Sequence, residues 1–151
     1  MSTLTEPQRT EPAPEFGILY AEIQQFYSHQ MQLFDAFDGA RWAATFTPDA
    51  VFDVPTLERP LRGRAELAAS VEHNRSQRER GCEQLRHWIG MLDLSPQPDG
   101  TLHTRCYALV HATPRGGPSR VLRVCVMRDV LVRSRGKWRT HHRVVTRDDL
   151  D

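Results

Sequence analysis

The chain has 151 residues, 39% of them hydrophobic and 26% charged, the size and make-up of one domain that can bury a core without disulfides or metals. Twenty Lys and Arg stand against nineteen Asp and Glu, and the arginines are interleaved with carboxylates along the chain. That balance argues against a nucleic-acid binder working through a basic surface.

Residues Met1 to Glu15 are polar and carry Pro7, Pro12 and Pro14, so they read as a disordered tail. They hold no apolar run of the kind a secretory signal needs. No stretch of the chain approaches the ~20 apolar residues of a membrane helix, so no membrane role is expected and the expected location is the cytoplasm. Cys82, Cys106 and Cys125 lack metal-ligand spacing and read as free thiols in a reducing compartment.

One domain is expected over residues 16–149. From Phe16, apolar residues recur at three- and four-residue steps through Ile18, Ile23, Tyr27, Leu33, Phe34 and Phe37, one face of a long helix that Gly39 ends. A short helix follows from Ala40 to Phe46, with Asp38 as its N-cap and Pro48 after it. Ala50 to Val54 reads as a short strand stopped by Pro55. Leu61-Arg62-Gly63 leads into a third helix, Arg64 to Arg80, with Gly81 as its stop. Four long β-branched runs then follow, joined by short Gly/Pro turns: Leu85 to Leu94, Leu102 to Thr113, Arg120 to Arg133 and Trp138 to Thr146. They read as an antiparallel meander. Helices first and strands after give an α+β fold, a strongly curved antiparallel sheet around a pocket lined partly by the first helix.

The strands are apolar on both faces. In the first long strand, alternation puts Leu85, His87, Ile89 and Met91 on one side and Trp88, Leu92 and Leu94 on the other. Helices and a pocket cover one side, and a second copy of the chain is the economical cover for the other, so a homodimer is expected.

Polar residues among core residues carry the functional signal. Asp35 follows Leu33-Phe34 near the end of the first helix, as a carboxylate binding backbone donors or as one orienting a histidine. His87 stands among apolar residues on a strand, either as a structural core histidine or as a proton-transfer group near neutral pH. Tyr107 and His111 share a strand face, as pocket donors or as a pair at the sheet rim. Asp53 is a candidate for the pocket mouth. His141 and His142 are adjacent on a strand and cannot both line one pocket, while His29, His73 and His103 read as surface. No glycine-rich phosphate loop, metal-ligand spacing or G-x-S-x-G elbow occurs, so no cofactor and no metal are expected.

The segments Leu33-Phe34-Asp35-Ala36-Phe37-Asp38, Ala40-Arg41-Trp42, Phe46-Thr47-Pro48-Asp49-Ala50-Val51-Phe52, Leu85-Arg86-His87-Trp88-Ile89 and Asp129-Val130-Leu131-Val132-Arg133, with Gly136-Lys137-Trp138-Arg139 after the last, come in a set order. Together they resemble the nuclear transport factor 2-like superfamily, in its SnoaL-like and scytalone dehydratase-like branch, over roughly residues 16–149. The resemblance implies a cone-shaped α+β half-barrel with a deep apolar pocket, often dimeric. It also implies cofactor-free dehydratase, isomerase, hydrolase or cyclase chemistry, frequently on polyketides. Asp35 and His87 match the dehydratase's acid–base pair. Phe34 and Val54 stand where that enzyme has two tyrosines, and Cys125 and Met127 where it has a serine and an asparagine. Pro114 falls at its second histidine, with His111 three residues earlier.

With half the constellation kept, the expectation is a different proton transfer in a related pocket. His87 and Asp35 would be catalytic, and Tyr107, His111, Asp53, Cys125, Met127 and Phe34 would contact a hydrophobic, oxygenated small molecule. The alternative is a non-catalytic ligand-binding or supporting subunit, of the kind that serves ring dioxygenases. In that case the Asp35–His87 pair would be closed off from any cavity.

Overall fold

The computed structural model describes residues 14–150. The tail expected over residues 1–15 therefore lies outside the described residues, apart from Pro14 and Glu15, which open the first helix. Pro suits that position because its missing N–H has no intrahelical partner there.

Helix α1 spans Pro14–Asp35, α2 Gly39–Ala44 and α3 Gly63–Gly81. Strands β1 (Phe46–Asp53), β2 (Leu61–Arg62), β3 (Glu83–Pro96), β4 (Leu102–Pro114), β5 (Arg120–Ser134) and β6 (Lys137–Arg147) form one sheet in the order β2-β1-β6-β5-β4-β3. The sheet is curved and unclosed, with the helices packed on its inner face. It is not wholly antiparallel, because β1 returns beside β6 in parallel. Among the described residues no helix is long and apolar enough to cross a membrane.

Helix α1 does not run to Gly39. Phe37 takes a left-handed conformation, with φ 57°. The amides of Phe37 and Asp38 bond back to the carbonyls of Phe34 and Leu33 at 3.1 and 3.0 Å, the paired contacts of a Schellman turn. A non-glycine residue is strained there. The buried Phe37 ring, the Arg78 guanidinium 5.3 Å above it and a hydrogen bond from Arg75 to its carbonyl hold it in place.

Asp38 caps α2, accepting from the Arg41 amide at 3.2 Å. Gly39 is needed for closeness, since a Cβ there would stand 3.0 Å from the Ala68 carbonyl oxygen of α3. Cys82, with φ 57°, closes α3 one residue beyond Gly81. β1 starts four residues earlier than its sequence suggests. It carries Pro48 through an irregular stretch between its Phe46 and Val51 pairings, where a missing N–H breaks no ladder bond.

Two apolar clusters form the core. Ile23, Tyr27, Met31, Leu92, Leu94 and Met127 belong to one, between α1 and the sheet. Leu33, Trp42, Phe46, Leu67 and Val71 belong to the other, where α2 and α3 meet β1. The space between the clusters becomes the cavity.

The alternation expected in β3 fails at a bulge. Pairing with β4 jumps from Gly90–Tyr107 to Asp93–Arg105, and Met91 is left-handed, with φ 53°. The extra residue rotates the strand. Leu92 and Leu94 therefore join Leu85, His87 and Ile89 on the inner face, and Met91 becomes 78% exposed. Trp88, Met91, Tyr107, Val121 and Val124 leave the outer face apolar and exposed, which is the face the expected second copy would cover.

Candidate active site

Asp35 is the last residue of α1. A carboxylate there faces the negative end of the helix dipole, so helix energetics oppose it. His87 holds it in place. The Asp35 carboxylate accepts from the His87 backbone amide through Oδ2 at 3.1 Å and meets Nδ1 through Oδ1 at 2.6 Å. The Asp35 side chain is 8% exposed and that of His87 18%. A carboxylate only accepts, so the contact assigns the ring proton to Nδ1. Nε2 is left without a hydrogen-bond partner among the described residues. The Phe34 ring sets its edge against the imidazole at 4.8 Å and fixes its tilt.

The His87 ring lines a cavity of about 240 Å³ between the two core clusters. Met31, Phe34, Trp42, Phe52, Cys125 and Met127 supply much of the wall. The structure places His87, Phe34, Cys125 and Met127 together at the cavity, with Asp35 behind His87.

Tyr107, His111 and Asp53 do not. In β4 the buried positions are Leu102, Thr104, Cys106, Ala108, Val110 and Ala112, so Tyr107 and His111 point to the outer face. Tyr107 is 41% exposed there, with the Arg105 guanidinium 5.3 Å from its ring. The strand could not be registered from sequence because both of its faces carry apolar residues, and one step exchanges them. Asp53 is excluded by alternation along β1: its neighbours Phe52 and Val54 line the cavity, and Asp53 pairs in register with the outward Val144. His29, His73 and His103 are exposed.

Beneath the cavity lies a buried polar network that the sequence did not announce. Arg143 is 2% exposed and Asp129 3%. Arg143 Nε and Nη2 donate to the two Asp129 oxygens at 2.8 Å each. Nη2 also donates to Gln30 at 2.5 Å, and the Tyr27 hydroxyl donates to Asp129 at 2.7 Å. Gln30 in turn donates to Thr45 and Thr140, and Tyr27 meets Thr104. The Arg143 guanidinium lies 5.2 Å from the Phe46 ring centre and 5.9 Å from Phe52. Burial works against its charge, and the Asp129 carboxylate more than offsets this, so its pKa rises. Arg143 also lines the cavity, as do Arg123 and Arg147. The one sequence signal was Asp129, with Arg128 before it, between the apolar stretches Val124 to Met127 and Val130 to Val132.

Burial, reinforced by Asp129, pushes the neighbouring Cys106 thiol from 9.0 up to about 12. A folded pKa above the unfolded one means this contribution to stability is complete below pH 9 and lost as pH rises through 12. Urea midpoints are therefore expected to fall across that alkaline window, and the fall is expected to be shallower in Cys106→Ala. Equal slopes in the two proteins would show that Cys106 does not carry the effect.

A carboxylate-held histidine opening onto an apolar cavity, between N-terminal helices and an unclosed curved sheet, defines a pocket protein of the nuclear transport factor 2-like fold. Residues 19–144 match the SnoaL-like domain family, and the chain belongs to that family. Aln2 from a Streptomyces species is 37% identical, with a TM-score of 0.81 over 93% of this chain and 96% of its own. ActVI-ORFA from Streptomyces coelicolor is 34% identical, with a TM-score of 0.79 over 87% of this chain and 99% of its own. A Catenulispora acidiphila protein in complex with S-DNPA is 36% identical, with a TM-score of 0.76 over 88% of this chain and 96% of its own. Among curated proteins, none matches the chain.

Proposed function

We propose that this protein is a cofactor-independent acid–base enzyme, a dehydratase, isomerase or cyclase, acting on a hydrophobic, oxygenated small molecule of polyketide type. The observation that carries this reading is the 2.6 Å contact between Asp35 and Nδ1 of a histidine whose ring lines the cavity. With its proton committed to Asp35, the neutral ring offers the Nε2 lone pair as a base. Nε2 takes a proton from a substrate carbon or hydroxyl, and the imidazolium formed stays paired with the carboxylate. In a dehydration, the electrons of the broken C–H bond form the new C=C bond as the C–O bond breaks. Nε2 then returns its proton to the departing oxygen, which leaves as water. In a cyclisation or isomerisation the same proton goes back to a different atom. The aromatic and thioether walls exclude bulk water and hold a flat, apolar ring system. A supporting-subunit role would leave the pair closed off from any cavity, so the cavity contact favours the enzyme reading.

S-DNPA, the ligand of the Catenulispora structure, is the first probe. Incubation in deuterated buffer without added cofactor is expected to give a product, or deuterium in the recovered probe, that depends on His87. Turnover that requires an added nicotinamide, flavin or metal would rule out the cofactor-independent reading. Binding without exchange or turnover, across a panel of aromatic polyketides, would favour the non-catalytic one.

A further inference from the structure

Three buried side-chain nitrogens lack a hydrogen-bond partner among the described residues: Trp42 Nε1, His111 Nδ1 and Arg123 Nε. Trp42 and Arg123 both line the cavity. Buried donors are ordinarily paired, so two unpaired donors in the wall of one cavity mark it as shaped for a ligand with acceptor atoms. Arg123 is the stronger signal because it brings a full charge. Its neighbour Arg147 is committed to Asp149, with contacts of 3.0 and 2.7 Å. Arg123 makes no ion pair among the described residues. Burial raises the Cys125 thiol, with Arg123 acting against the rise, and the hydrogen bond from Arg147 lowers Asp149, with Arg123 adding the smallest pull. Asp148 lies on the other side of the sheet, in the groove with Tyr107 and Val124.

Backbone register places Arg123 relative to the chemistry. His87 pairs with Val110, and Val110 with Arg123. All three therefore share the inner face, with the His87 and Arg123 backbones two strand spacings apart, about 10 Å. β5 carries a bulge at Leu122, directly beside Arg123. Arg123 follows the alternation of Met127 and Cys125 onto the inner face, and the bulge beyond it turns Val121 to the outer side.

We propose that Arg123 is the docking point for a carboxylate on the ligand, which makes the substrate an aromatic acid. Its planar guanidinium matches a carboxylate in two-point geometry. The acid group would anchor at Arg123, and the ring system would lie along the apolar wall. This places the reacting C–H or hydroxyl at His87, two strands away. The position of the reacting centre rests on the acid–base reading above; the carboxylate site does not.

The test uses 2-naphthylacetate and its uncharged isostere 2-naphthylacetamide, titrated by calorimetry into the full chain. The acid is expected to bind at least about ten-fold more tightly than the amide, with a preference that weakens as salt rises. Arg123→Gln is expected to remove the preference while the circular dichroism spectrum and urea midpoint stay at wild-type values, and Arg123→Lys is expected to restore part of it. His87→Ala is expected to keep the preference. Equal binding of acid and amide, a preference that survives Arg123→Gln, a preference lost in His87→Ala, or no acid binding at millimolar concentration would each overturn the proposal. Turnover unaffected by His87→Ala, with the acid preference intact, would instead overturn the catalytic reading and leave the carboxylate site standing.

Discussion

His87→Ala is expected to lower kcat/KM by about 10²–10⁴-fold, the usual contribution of a positioned acid–base group, with folding unchanged by circular dichroism. The backbone amide still reaches Asp35, but the nearly buried carboxylate loses its Nδ1 partner, so a lower urea midpoint is expected alongside the unchanged spectrum. Asp35→Asn gives the sharper comparison. The two carboxylate oxygens of Asp35 accept from two donors of the same residue, the amide and Nδ1 of His87. An asparagine offers one oxygen and one NH₂, so one of these contacts becomes donor against donor. The ring then tilts or changes tautomer, and the imidazolium loses its counter-charge. A loss of one to two orders of magnitude, smaller than that of His87→Ala, is expected, together with a displaced pH–rate profile. A purely structural carboxylate would alter stability and leave the profile where it was. Wild-type activity in His87→Ala would refute the assignment.

The pair was legible in the sequence because each member broke a local pattern. Asp35 sat on the apolar face of a helix and His87 inside an apolar strand run, and burial of a polar group demands a partner. What stayed illegible turns on single-residue shifts. The Met91 bulge moved Leu92 and Leu94 to the inner face, and β4 settled with Val110 inward and Tyr107 and His111 outward. Pattern could not choose between those registers, because Ala108 and Val110 are no more apolar than Tyr107 and Leu109. The stop of α1 fell at Phe37 because a buried ring and two arginines stabilise a strained residue there, something local preference for glycine does not anticipate. Arg123, Arg143 and Asp129 were passed over for a related reason. Charged residues read as surface by default, and only three-dimensional pairing shows that Arg143 and Asp129 neutralise each other inside the sheet.

That buried pair carries the largest expected effect on stability. Arg143→Met keeps the length and apolar bulk of the side chain but leaves Asp129 buried, with only the Tyr27 hydroxyl donating to it. Stranding one member of a buried ion pair costs about 3–5 kcal/mol. In urea that should appear as a large drop in midpoint at unchanged slope, and on heating as a fall in Tm of roughly 10 °C. The double variant Arg143→Met with Asp129→Leu removes the stranded charge and is expected to recover much of the loss, because a well-packed apolar pair can match a buried ion pair. The two single effects would then be strongly non-additive, the signature of direct coupling. A cost below about 1 kcal/mol for Arg143→Met would mean that water reaches Asp129 and that the network is not the sealed floor of the cavity. The recovered double variant has a second use. Arg143 lines the cavity as well as bracing it. If the double variant folds like the wild type yet turns over substrate more slowly, the guanidinium acts on the ligand as a fixed donor. If activity returns together with stability, its work is to hold β5, β6 and α1 in the register that keeps Cys125, Met127 and Phe34 around the ring of His87.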